Sequence, residues 1–138
     1  MMKTALFIAA ALLTAVSPAL AAEGAAARQA ILKTYQAEIP GFTGFDAARG
    51  EALYRSVVAG SDPRITGCTS CHTANPRQPG QNAKTGRAID PVAVSATPDR
   101  FTDADRVEKQ FSRDCKTVLN RACTAQEKGD YITFLMGQ

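Results

Sequence analysis

The sequence predicts an all-α domain, and three observations carry that expectation. Apolar residues recur at helical spacing in four segments, each bounded by residues that start or stop helices. No alternating run of apolar and polar residues is long enough to suggest a strand. One pentapeptide, Cys68-Thr69-Ser70-Cys71-His72, stands between the second helical segment and a long stretch rich in Pro, Gly, Asn and Gln.

The first residues have the make-up of a secretory signal. Lys3 supplies the positive start, residues 5–16 the apolar core, and Pro18-Ala19-Leu20-Ala21 an Ala-x-Ala ending, so cleavage is expected after Ala21. An apolar run of about a dozen residues is too short to span a bilayer, and no later segment reaches the necessary length. The expected mature protein, residues 22–138, has room for one core and one domain. Losing Lys3 takes the basic count from 16 to 15 against 13 acidic residues, a net charge near +2. With no basic run interleaved with aromatics, nucleic-acid binding has no support.

The first mature helix is expected over residues 25–38, with Ile31, Thr34 and Tyr35 at helical spacing and Ile39-Pro40-Gly41 as its stop. Asp46 caps a second helix running to about Val58, whose Ala47, Gly50, Tyr54 and Val57 fall on one side. Gly50 would let another helix approach closely there. Residues 73–98 show no sustained period and are expected to form a long irregular loop. Phe101-Thr102-Asp103-Ala104-Asp105 opens a third helix with Thr102 at its N-cap and acids in the first turn. Thr124-Ala125-Gln126-Glu127 has capping-box spacing and leads into a terminal helix with Tyr131, Ile132, Phe134 and Leu135 in the core.

The pentapeptide suits covalent attachment of haem. Two cysteines separated by two residues can each add across a vinyl group of the porphyrin, and the following histidine then lies under the iron. A thioredoxin-like dithiol needs a strand-helix setting that this chain lacks. A zinc site needs four ligands, and the only additions available are Cys115 and Cys123, because His72 is the one histidine. Covalent haem is attached on the exported side of the bacterial membrane, which agrees with the signal and points to the periplasm. One haem c is therefore the expected cofactor, held by Cys68 and Cys71 with His72 on the iron. Lys84 and Arg87 are candidates to reach a propionate from the long loop, which would wrap the porphyrin edge; solvated surface charge is the alternative for both. An early helix with glycine and tyrosine and a late aromatic helix fit a class I cytochrome c architecture with an extra N-terminal helix.

Cys115 and Cys123 remain, and two leftover thiols in an oxidising compartment pair by default. Eight residues of unbroken helix would hold them roughly 12 Å apart, so the third helix must end between them, at Leu119-Asn120-Arg121. Upstream, Val107, Phe111 and Val118 mark an apolar stripe that also contains Asp114. A buried carboxylate needs a proton, a base or a cation, and ferric iron is such a cation; Arg113, Lys116 and Arg121 are the competing partners.

These residues extend into a wider match. Ala96-Thr97-Pro98-Asp99-Arg100-Phe101-Thr102-Asp103, Arg106-Val107-Glu108-Lys109, Cys123-Thr124-Ala125-Gln126-Glu127-Lys128, Lys84-Thr85-Gly86-Arg87 and the haem motif resemble the oxygen-binding c-type cytochromes typified by the sphaeroides haem protein. The resemblance implies a monohaem class I-like protein whose sixth ligand is an asparagine just before the first disulfide cysteine. Asp114 stands there, where the related cytochrome c double-prime has a histidine released on reduction. The resemblance also implies reduction by a dihaem c-type cytochrome and a membrane-bound b-type cytochrome. The expected function is electron transfer with redox-gated binding of dioxygen or nitric oxide, and no enzymatic turnover. The alternatives are a plain shuttle, with Met136 as the one mature methionine able to bind iron, and a reductase of oxygen or nitrogen oxides. The absence of a second histidine argues against peroxidase-like chemistry.

Overall fold

The computed structural model describes residues 18–58 and 62–138. Five helices dominate: α1 (Pro18–Ala37), α2 (Ala47–Arg55), α3 (Thr69–His72), α4 (Ala104–Leu119) and α5 (Ala125–Met136). The all-α expectation holds, with one departure in the long loop. There β1 (Gly80–Gln81) and β2 (Ala88–Ile89) form a two-residue antiparallel ladder. Asn82 makes the hairpin, its side chain accepting from the Lys84 and Thr85 amides at 2.9 and 3.0 Å.

The expected signal segment 1–21 lies mostly outside the described residues; Pro18–Ala21 form the first turn of α1, which thus begins before residue 25. Along α1 the buried set is Arg28, Ile31, Leu32 and Tyr35, an i, i+3, i+4, i+7 stripe. Thr34, expected on that face, is exposed and donates back to the Ala30 carbonyl. Arg28 goes inward because its guanidinium donates to the Pro98 and Arg100 carbonyls at 2.9 and 3.1 Å.

Asp46 caps α2 as expected, accepting from the Arg49 amide. The helix ends at Arg55 rather than near Val58, because Ser56 turns extended (ψ 140°). Val57 therefore leaves the helical face and stands 80% exposed, and Ala47 is exposed too. Gly50 is the contact that matters: a Cβ there would lie 2.0 Å from the Asp130 carbonyl oxygen, so only glycine permits this crossing of α2 on α5.

Asp103, not Thr102, caps α4. Its carboxylate accepts from the Arg106 amide at 2.9 Å, while the Thr102 hydroxyl donates to the Asp99 carbonyl. α4 stops at Leu119 with Asn120 in the left-handed region (φ 57°), where the sequence placed the turn. Cys115 and Cys123 form a disulfide across that turn, Cα to Cα 5.7 Å. The α5 capping box is complete, with Thr124 and Glu127 each holding the other's amide.

Two apolar clusters result. One joins Ile31, Leu32, Tyr35, Val107 and Ile132; the other joins Tyr54, Val92, Tyr131, Phe134 and Leu135. Phe101 and Phe111 pack against both. No helix among the described residues is long and apolar enough to cross a membrane.

Candidate haem site

α3 is a single turn, and that turn is what gathers the pentapeptide. Cys68 stands at its N-cap, the His72 amide donates to the Cys68 carbonyl at 3.0 Å, and Thr73 reverses the chain at φ 64°. The sequence reading did not include this helix, because four residues give no period to detect. Two outside groups fix it. The buried Tyr54 hydroxyl, from α2, donates to the His72 and Thr73 carbonyls at 3.1 and 2.7 Å. Gly80 of β1 packs so closely that a Cβ would fall 1.9 Å from the Cys71 carbonyl oxygen. The hairpin is thereby pressed onto the motif.

A cavity of about 980 Å³ opens beside this turn. Cys68, Cys71 and His72 line it, and α4 supplies further wall through Val107, Phe111, Asp114 and Val118. Tyr131 comes from α5, Phe101 and Arg100 from the segment before α4, and Lys84 and Arg87 from the hairpin loop. The structure thus brings the sequence-predicted residues Cys68, Cys71, His72, Lys84, Arg87 and Asp114 to one cavity. Met136 goes elsewhere, packing against the Ile31, Leu32 and Ile132 cluster. Cys115 and Cys123 are joined to each other, while Cys68 and Cys71 are free, which leaves no four-ligand set for zinc.

Burial, followed by the charge of Asp114, pushes the Cys68 thiol up to about 11. Burial also lowers the His72 pKa, with Arg100 acting in the same direction and Asp114 against it. His72 is thereby held neutral, the form that ligates metal. Asp114 is less sequestered than its stripe suggested: its side chain is 46% exposed and accepts from Arg113 Nε at 2.8 Å. Lys84 lies 3.9 Å from Asp62, so it is partly engaged away from the cavity.

Arg100 is a site residue that the sequence reading missed as such. Its guanidinium donates to the Pro91 and Asp90 carbonyls at 3.1 and 2.7 Å, tying the loop beneath the cavity. The only signal for it was its place within the densest stretch of resemblance, Ala96 to Asp103.

Comparison with known proteins agrees with this geometry. A family model described as a domain of unknown function, DUF1924, matches residues 40–135. The cytochrome c-type protein SHP of Cereibacter sphaeroides is 48% identical over 93 residues, covering 67% of this chain and 71% of that protein. The chain belongs to the SHP-like c-type cytochromes. Cytochrome c'' of Methylophilus methylotrophus is 42% identical over 69 residues, 50% of this chain and 48% of that protein, so this match spans about half its length. Oxidised SHP, described as an oxygen binding cytochrome c, superposes with a TM-score of 0.71 at 42% identity, over 80% of this chain and 96% of that one. Oxidised cytochrome c'' gives 0.69 at 28% identity, over 86% and 96%.

This cytochrome therefore has the class I-like fold of both relatives. Haem c, the covalently held group of c-type cytochromes, fits the residues present. Two free cysteines and a neutral histidine share one helical turn on a cavity lined by both apolar and charged side chains, Lys84, Arg87 and Arg100 among the latter.

Proposed function

We propose that this monohaem c-type cytochrome is exported to the periplasm, carries electrons, and takes up a small diatomic ligand at a site that Asp114 guards. The observation that carries this reading is the position of Asp114: it lines the same cavity as His72 but comes from a different helix, α4 rather than α3. Cys68 and Cys71 would hold the porphyrin through thioethers, His72 would ligate its iron, and Lys84 and Arg87 would meet its propionates. When bound, the haem supplies a one-electron couple and a sixth coordination position.

A carboxylate is a hard anionic donor, so Asp114 would favour ferric over ferrous iron. Arg113 Nε donates to the Asp114 carboxylate at 2.8 Å and would be its partner whenever it is not on the iron. The Tyr54 hydroxyl and Gly80 hold the His72 turn in place. Electrons would come from a dihaem c-type or membrane b-type cytochrome, as the resemblance implies.

Absorption spectra of the ferric and dithionite-reduced holoprotein, with and without carbon monoxide, test this. The reduced spectrum should change on adding carbon monoxide, and Asp114→Ala should alter the ferric spectrum while Met136→Leu does not. A reduced spectrum indifferent to carbon monoxide would sink the redox gate. An unaltered ferric spectrum in Asp114→Ala would remove that residue from the iron.

A further inference from the structure

Tyr131 is a buried polar side chain on the cavity wall. It is 9% exposed, and its ring is boxed by Tyr54, Phe101 and Phe111 at centroid distances of 6.2, 6.3 and 5.7 Å. Its sequence neighbours Ile132, Phe134 and Leu135 fill the core, and by pattern Tyr131 reads as one more core residue. A core position there calls for phenylalanine or leucine, because a buried hydroxyl without a partner costs about 1–3 kcal/mol.

Among the described residues no group hydrogen-bonds the Tyr131 hydroxyl. Tyr54, its ring neighbour, spends its own hydroxyl on the His72 and Thr73 carbonyls. Tyr35, the third buried tyrosine, donates to Glu108. The Tyr131 oxygen is also not sealed within protein. Among the described residues, the sealed side-chain polar atom without a partner is Arg28 Nε. The residual exposure of Tyr131 therefore includes its hydroxyl, and Tyr131 lines the cavity.

Position narrows what it can meet. Phe111, against whose ring Tyr131 stands edge-on, precedes Asp114 by three residues on α4 and so shares its face. Burial raises the Tyr131 pKa well above the usual phenol value. The group is a neutral O–H donor at any physiological pH.

We infer that the Tyr131 hydroxyl is the hydrogen-bond donor for the diatomic ligand on the Asp114 side of the cavity, and so determines which ligand is kept. This rests on the ligand uptake proposed above. A donor favours dioxygen or nitric oxide, whose outer atom accepts a hydrogen bond when bound, over carbon monoxide, which accepts poorly. A site built around one hydrogen bond discriminates against a ligand that cannot complete it.

Tyr131→Phe keeps the ring and its three aromatic neighbours and removes only the hydroxyl. Dissociation rates of dioxygen and of carbon monoxide from the reduced holoprotein, with the carbon monoxide stretching frequency, read the effect. In Tyr131→Phe dioxygen should leave about ten-fold faster, as expected for one lost hydrogen bond, with the carbon monoxide rate within about two-fold of wild type. The stretching frequency should rise. Unchanged dioxygen rate and frequency in a variant that still binds carbon monoxide would overturn the tyrosine assignment alone. A change confined to the ferric spectrum would place the hydroxyl on Asp114 instead and would also overturn it. Wild-type protein that binds neither gas when reduced would overturn both this assignment and the ligand uptake beneath it.

Discussion

Asp130 shows how much a single side chain organises here. It is 3% exposed and still ionised, because Arg49 Nε donates to it at 2.7 Å, the Asp46 amide at 2.7 Å and Gln126 Nε2 at 2.9 Å. Burial pushes its pKa up, but the Arg49, Asp46 and Gln126 hydrogen bonds together outweigh that and hold it below the ordinary carboxylate value. The sign of the linkage follows. A depressed carboxylate contributes stability in full above its unfolded pKa of about 3.9 and loses it as pH falls through the lower folded value. Thermal midpoints measured from pH 7 downward should therefore fall below about pH 4, and Asp130→Asn should flatten that limb. At neutral pH the same substitution should cost about 2–3 kcal/mol, below the loss for a wholly buried pair because Arg49 remains half in water. Nothing in the sequence marks Asp130, since its partner lies 81 residues away on another helix. Asp114 was legible for the opposite reason: its anomaly is local, a carboxylate breaking the period of its own helix. The stripe could not reveal Arg113 as its partner over Lys116 or Arg121, a choice made by side-chain rotamers rather than by periodicity.

The elements divide by where their signals reside. α5 and the end of α4 were readable because the capping box and the left-handed Asn120 are determined within a few residues. The sequence places the start of α4 one residue early because two capping side chains stand in succession, and the Asp99 carbonyl takes the Thr102 hydroxyl out of competition. α3 and the β1–β2 ladder were invisible; both are too short for a period, and each is held by the other through the Gly80 contact with Cys71. The α2 crossing on α5 is the element-scale feature the sequence did announce, through Gly50. Since a Cβ at Gly50 would stand 2.0 Å from backbone of α5, Gly50→Ala must push the helices apart rather than displace a side chain. Such overpacking costs about 1–3 kcal/mol or more, against the fraction of 1 kcal/mol that alanine gains as a helix former. The expected result is a lower thermal midpoint together with a changed haem spectrum, because Tyr54 on the same helix holds the His72 turn. Unchanged stability would show that the crossing is looser than the contact implies.

At the scale of the molecule the pentapeptide foretold a cavity, and the two apolar clusters show why the fold depends on filling it. Phe101 and Phe111 touch both clusters and also line the cavity, so the core is continuous only around its edge. A group filling the space of about 980 Å³ would give Val107, Phe111, Val118 and Tyr131 dispersion partners on its side. A group that binds the folded chain and not the unfolded one stabilises the fold, and a tethered group cannot be diluted away. Replacing both thiols, Cys68→Ala with Cys71→Ala, removes the tether and leaves the helices' own signals intact. The α5 capping box, the Cys115–Cys123 disulfide and the Gly50 crossing would persist, so secondary structure should survive better than packing. Far-ultraviolet circular dichroism should retain much of the helical signal while the near-ultraviolet signal of Tyr54, Tyr131 and Phe111 weakens. The thermal transition should broaden and fall by about 15 °C or more, the shift expected for a loss of several kcal/mol in a domain of this length. A double variant that melts as sharply and as high as the haem-loaded protein would mean that the walls close on themselves, and that the fold does not need the group its pentapeptide is built to hold.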